Sequence, residues 1–376
     1  MNILVTGARA PIAADLAKTL RLAGHHVWLL DSLRWPIAAG SPHIEGYLRM
    51  PAPRNAFGAF ARGVVEACCC HRIDTIIPTS EEVFWLAALR RKLPARVNLR
   101  TSDLATLARL HDKAAFAEIA SELGYGAAEN RRLISGRDLR AFADPSAWVF
   151  KPVYSRFATR TLVGPTSVEV AQIEATPECP WLAQTRIRGD EYCLYNVAEK
   201  GRLLLHVAYA PKVRFGKGAS IYFEAVEQSA LRELSARFIE RTAFTGQISF
   251  DVMADGERLI AIECNPRGTS GVHLAAQSPV EFSAALLGES AALPSSSSMP
   301  RMLLGPWMLQ SPGTLFRASD RALRARARDA LTAAEISPWR QTIAVAEMTW
   351  RAVAARTSVA AASTLDIEWN GEPIDG

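Results

Sequence analysis

No stretch of this sequence approaches the roughly eighteen consecutive apolar residues that a membrane-spanning helix needs. Cysteine is scarce: three of the six are contiguous (Cys68, Cys69, Cys70), and Cys179, Cys193 and Cys264 are scattered. That distribution supports neither a disulfide framework nor paired C-x-x-C metal spacing, and the CCC run is expected to be the buried end of a helix before His71. Charge of one sign is never massed. Lys and Arg exceed the acids by 43 to 38, giving a net charge of +5. The single Arg-dense run, RASDRALRARARDAL (317–331), also carries Asp320 and Asp329 and fits a solvated amphipathic helix. A nucleic-acid binder concentrates its basic excess on one face or helix, so neither nucleic acid nor membrane is an expected partner. The opening MNILVTGARAP lacks a signal-peptide apolar core, which points to a cytoplasmic protein. No internal repeat stands out, and spacing singles out no Ser-His-Asp or Cys-His arrangement.

What the sequence does have is an ordinary globular balance, 49% apolar and 22% charged, over a length sufficient for two or three packed domains. The first hundred residues alternate strand and helix: NILVTG (2–7), a helix over 11–24, HVWLLDS (26–32), a helix near 57–70, DTIIPT (74–79) and a helix through 81–92. Continuous apolar strands in that alternation predict a parallel α/β sheet. TGARAPIA (6–13) sits where a dinucleotide fingerprint would, and Asp31 where a ribose-binding acid would. Only Gly7 survives of the three glycines the fingerprint requires, so a scaffold or substrate wall is the better reading.

Beyond residue 98 the pattern changes. LHDKAAFAEIASELG (110–124) predicts a helix with Asp112 and Lys113 in its first turn, and WVFKPVYSRFATRTLV (148–163) a hairpin turning over 154–160. Strands follow over 181–212, then a helix over 230–244. QISFDVMA and RLIAIECN are two strands joined at Asp255 and Gly256. LPSSSSMP (293–300) reads as a linker or mobile loop. In the paired strands Asp251 and Glu263 interrupt core-type apolar runs and can meet across the ladder, with Asn265 on the same face as Glu263. Two carboxylates and an amide oxygen form a hard-oxygen site suited to Mg²⁺; the alternative is two solvated acids at strand ends.

Taken together, LHDK, VFKP, QTRIRGDE and IECNPR, in that order and spacing, resemble the ATP-grasp superfamily. The resemblance implies an α/β and α+β architecture: an N-terminal Rossmann-like parallel sheet (1–100), a central lid lobe (101–190), a C-terminal lobe with the metal site (191–292) and a small C-terminal extension (293–376). It implies ATP and Mg²⁺ as cofactors, with Mn²⁺ as a substitute, and a ligase that joins a small-molecule carboxylate to an amine through an acyl phosphate. Lys113 and Lys151 then contact ATP phosphates, Gln184, Thr185, Arg186 and Ile187 face adenine, and Glu191 accepts from the ribose. Asp251, Glu263 and Asn265 are the metal ligands, and Arg267 faces the transferring phosphate or the substrate carboxylate. The loop after Lys151 departs from the family's pattern, since YSRFATRT has no glycine. Ser155, Arg156, Thr159 and Arg160 could replace backbone donors there, or the loop could read something other than phosphate. APKVRFGKGAS (210–220) is expected to be a mobile loop whose Lys212, Arg214 and Lys217 help hold the γ-phosphate or an acidic substrate. An NAD-dependent oxidoreductase or epimerase, a thiol acceptor and a non-catalytic nucleotide binder are the rival readings. A homodimer is the default expectation.

Overall fold

The computed structural model describes residues 1–156, 158, 160–216, 218–289, 299–311, 313 and 317–374. Thr159, Lys217 and residues 293–298 of the Ser-rich stretch lie outside them. Three sheets carry the chain. The first is parallel, in the order β3-β2-β1-β4-β5, from β1 (Asn2–Thr6), β2 (His26–Asp31), β3 (Gly46–Arg49), β4 (Thr75–Ile77) and β5 (Asn98–Leu99). Its strands are apolar on both faces because helices cover both. Ile3 and Val5 pack with Leu16 and Leu20 of the helix Pro11–Leu22, while Leu4 packs with Phe60 and Val64 of the helix Phe57–Cys70. Of the three contiguous cysteines only Cys68 is buried, since a surface helix turns one face inward and Cys69 and Cys70 point away from it.

The second sheet is a four-stranded antiparallel lobe, β6-β9-β7-β8, from β6 (Asn130–Leu133), β7 (Trp148–Pro152), β8 (Leu162–Val163) and β9 (Trp181–Thr185). It has its own small core around Phe142, Phe150 and Trp181. The third sheet has seven strands in the order β14-β13-β10-β11-β12-β15-β16. Its members are β10 (Asp190–Glu199), β11 (Arg202–Phe215), β12 (Ala219–Val226), β13 (Gly246–Asp255), β14 (Arg258–Asn265), β15 (Arg301–Met302) and β16 (Arg328–Asp329). A bridge between Thr101 and Gly246 joins its base to the end of the N-terminal region.

Three local readings change. The helix expected over 110–124 begins at Lys113, because Asp112 has extended backbone and its carboxylate caps the amides of Ala114 and Ala115. A separate helix, Leu104–His111, precedes it. The segment 210–220 is mostly strand: β11 runs to Phe215 and pairs with β12 from Ala219 onward. The C-terminal stretch, which showed no chemistry in the sequence, carries the helices Pro338–Ala354 and Val359–Ala362 and then crosses the N-terminal sheet. There Asp366 meets Arg9 at 2.5 Å and the Trp85 indole donates to the Ile367 carbonyl at 2.8 Å. Among the described residues no helix is long and apolar enough to cross a membrane.

Phe250, fully buried on β13, lies 6.1 Å from Phe116 and 5.1 Å from Phe238, centroid to centroid. This stack joins the third sheet to the helices beside it. Phe250→Ala is expected to cost about 3–5 kcal/mol in chemical denaturation; a loss under about 1 kcal/mol would show that the stack does not carry this junction.

Candidate functional site

The hairpin of β13 and β14 builds the acidic floor. Asp251 and Glu263 are direct partners across it, and Ser249 is opposite Asn265, with the register shifting just after Asp251. On the other side of β13, Asp251 faces Cys193 of β10, and Glu191 stands two residues along the same face. Burial, then the charges of Glu263 and Glu191, push the Asp251 carboxyl up to about 7. Among the described residues no three His, Cys, Asp or Glu side chains cluster as a ready metal cage. Two carboxylates and the Asn265 amide nevertheless fit a magnesium ion, which keeps waters and substrate phosphates among its ligands. The repulsion that raises Asp251 is what a divalent cation would relieve.

Two lysines project toward this floor. Lys113, 3% exposed at the start of its helix, lies 3.1 Å from the Glu263 carboxylate and donates to the Ser155 carbonyl at 2.9 Å. Lys151, 5% exposed on β7, donates to the Ile262 carbonyl at 2.8 Å and to the Gln184 side chain at 3.3 Å. Burial pulls Lys151 down to about 8; Glu263 opposes that and Lys113 reinforces it. Lysines this buried are rare unless paired. With Lys113 on Glu263 and Lys151 met by neutral oxygens, the lysine side of the pocket is short of negative charge, a setting for a polyanion.

The connection from β9 to β10 forms the rear wall. Gln184 is buried and braced by Asn130 at 2.9 Å. Thr185 and Arg186 donate their N–H groups to the carbonyls of Glu129 and Ala147, and Ile187 follows partly buried. Gly189 has no substitute, because a Cβ there would stand 1.8 Å from the Ala254 carbonyl oxygen. Glu191 is ion-paired with Arg214 of β11. That pair puts Arg214 beside the acids.

Past β14, Arg267 turns back: Nη2 donates to Asn265 at 3.2 Å and Nε to Glu81 at 2.8 Å. Glu81 is 1% exposed; burial raises its carboxyl, but Arg156, Arg267 and His111 outweigh this and hold it well below the usual range. Glu81 and His111 escaped the sequence reading. The one signal was the pair of acids closing PTSEE (78–82), which read as the start of a helix.

Other residues stand apart from the floor. Lys212 is ion-paired with Glu224 on β12. Arg160 lies over the Trp181 ring at 5.2 Å. The Ser155 hydroxyl donates to the Pro152 carbonyl at 3.1 Å, and Arg156 is buried against Glu81. At the dinucleotide-like loop, Asp31 is engaged by both the Arg9 backbone at 2.8 Å and its guanidinium at 2.6 Å. The place of a ribose acid is therefore filled by the protein's own arginine, which disfavours an NAD-dependent reading.

No family model matches the chain, and no curated protein matches it in sequence. Solved structures do. The ADP complex of N5-carboxyaminoimidazole synthetase from Staphylococcus aureus superposes with a TM-score of 0.60 at 12% identity, covering 78% of each chain. L-amino acid ligase from Bacillus licheniformis gives 0.57 at 15% identity, over 76% of this chain and 74% of that one. The biotin carboxylase domain of Hydrogenobacter thermophilus 2-oxoglutarate carboxylase, in complex with MgADP, ADP and bicarbonate, gives 0.59 at 12% identity, over 76% and 70%. The class is thereby defined: a mixed α/β protein with an N-terminal parallel sheet followed by antiparallel sheets. Its fold is the one these solved structures share.

Because the folded value of Asp251 lies above its unfolded one, the protonated carboxyl stabilises the fold, fully so below the unfolded value and no longer once pH rises through about 7. Without divalent cations, Asp251→Asn is expected to raise the melting temperature at pH 8 and to raise it much less at pH 5. Equal shifts at both pH values would contradict the raised Asp251 carboxyl.

Proposed function

We propose that this protein is an ATP- and Mg²⁺-dependent ligase that activates a small-molecule carboxylate as an acyl phosphate and joins it to an amine. The reading is carried by one juxtaposition: the two buried lysines, Lys113 and Lys151, turned toward the cross-strand pair Asp251 and Glu263. Burying cations and acids together without close one-to-one pairing is costly. A nucleotide triphosphate with its divalent cation completes the charge balance. The likeness to L-amino acid ligase and to ADP- and MgADP-bound structures is consistent with it.

Asp251, Glu263 and Asn265 would hold the magnesium ion, which supplies positive charge beside the phosphate oxygens when bound. Lys113 and Lys151 neutralise phosphate charge, while Gln184, Thr185, Arg186 and Ile187 wall the adenine and Glu191 accepts from the ribose. Arg267 orients the substrate carboxylate or the γ-phosphoryl group through its guanidinium fork. A carboxylate oxygen bonds to the γ-phosphorus as the bond to the bridging β–γ oxygen breaks, and ADP leaves. The amine nitrogen then bonds to the carbonyl carbon, the carbon–oxygen bond to phosphate breaks, and the amine gives up a proton. The work is positioning and charge neutralisation, so no nucleophilic side chain is needed. Arg214, through Glu191, the cations Lys212 of β11 and Arg160, and the Ser155 hydroxyl fit secondary roles in holding acidic substrate. The lobe boundaries 1–100, 101–190, 191–292 and 293–376, a cytoplasmic location and a homodimer belong to the same proposal.

ADP release across mixtures of carboxylates and amines tests it. Turnover is expected to require magnesium and a carboxylate, and Glu263→Gln or Lys151→Met is expected to lower it about 100-fold or more. Turnover indifferent to both carboxylate and magnesium would contradict the reading.

A further inference from the structure

The glycine-free loop after Lys151 is held by the chain's own C-terminal segment. Arg156, 9% exposed, is ion-paired with Glu81 at 2.7 Å and donates to the Trp369 carbonyl at 2.6 Å and to the Asn370 side chain at 2.8 Å. The other oxygen of Glu81 accepts from Nε of Arg267 at 2.8 Å. One buried carboxylate therefore bridges two guanidinium groups, one from the loop and one from the predicted phosphate-facing position. A planar guanidinium fixes direction as well as charge, so moving Arg156 changes what Glu81 offers Arg267.

The C-terminal segment is itself firmly seated. Asp366 is gripped by Arg9 at 2.5 Å, by Ser32 at 2.6 Å and by Arg351 at 3.0 Å. Trp369, 6% exposed, stacks on Phe84 at 5.0 Å and meets Tyr154 edge-on at 5.9 Å, which sets its carbonyl against Arg156. On the far side of the loop the Ser155 carbonyl receives Lys113. A contiguous path therefore runs from residues 366–370 through Arg156 and Glu81 to Arg267, and through Ser155 to Lys113 and Glu263.

We propose that residues 366–370 are a positioning element of the ligase site. Arg156 and Glu81 are positioning residues that aim Arg267, and they do not bind phosphate themselves. A mobile glycine loop would supply backbone donors to the phosphates; here a side-chain tie to the C-terminus presets the loop and leaves the phosphates to Lys113, Lys151 and Arg267. The inference rests on the ATP-dependent reading above.

The test uses the full chain with Arg156→Gln, Asn370→Leu and Asn370→Asp, the last restoring an acceptor for Arg156. Amide exchange at Val153, Ile367 and Glu368, each hydrogen-bonded to a backbone carbonyl, is expected to quicken about tenfold or more in Arg156→Gln and Asn370→Leu, the scale of one lost charge-assisted hydrogen bond. Asn370→Asp is expected to match wild type. Affinity for Mg·AMP-PNP is expected to fall about tenfold in the first two variants while affinity for MgADP stays within about threefold, because Arg267 acts at the terminal phosphate. Unchanged exchange in Arg156→Gln, or equal weakening of both nucleotides, would overturn the positioning role while leaving the ligase reading intact. Failure of the wild-type protein to bind either nucleotide would overturn the ligase reading, and the positioning role with it.

Discussion

Charge buried at the seam between the sheets governs this molecule. Lys113, Lys151, Arg156 and Glu81 are each under a tenth exposed, and Asp251, Glu263 and Arg267 are only partly open to solvent. An isolated ion in such a place costs several kcal/mol, so each must be answered by another or by a ligand. The internal answers are specific: Glu81 takes Arg156 and Arg267, and Glu263 takes Lys113. They are also incomplete. Lys151 is left with a carbonyl and an amide oxygen, and Asp251 stands beside acids, so the lysine wall and the acidic floor each hold charge in reserve. A fold built for stability alone would have apolar residues at these positions.

The three sheets serve that seam in different ways. The hairpin of β13 and β14 gives the acids their register, and a shift by one residue would turn Asp251 away from Glu263. The four-stranded antiparallel sheet brings Lys151, and the helix capped by Asp112 brings Lys113. The parallel N-terminal sheet contributes Glu81 at its carboxyl edge, the usual side for ligand contacts in such sheets. Its dinucleotide-like corner is closed by the Arg9, Asp31 and Asp366 cluster, which anchors the C-terminal segment there.

Most of the fold was legible because strand and helix periodicities were strong and turn chemistry was explicit, as at Gly256 between β13 and β14. The acids, the two lysines and Arg267 were legible because each interrupts an apolar run or stands in a short motif of fixed spacing. What was not legible came from long-range partnership. Nothing near Arg156 in sequence announces that its guanidinium is turned to Trp369 and Asn370, more than two hundred residues away. Lys212 and Arg214 looked like members of a mobile loop because APKVRFGKGAS has two glycines. Cross-strand pairing with β12 overrode that composition and gave Lys212 to Glu224. The break at Asp112 was hidden because LHDKAAFAEIASELG has helical periodicity throughout, whereas a side-chain cap stops one helix and starts another.

The central proposal is that the buried lysines and the cross-strand acids form a single site for a nucleotide triphosphate and its cation. Isothermal titration of Mg·AMP-PNP into the wild-type protein and into Lys151→Met and Asp251→Asn tests it most directly. Saturable one-to-one binding by wild type is expected, requiring magnesium and falling about tenfold or more in each variant, the scale of a lost charged contact. Binding that is unchanged in both variants, or that is absent from wild type, would contradict it.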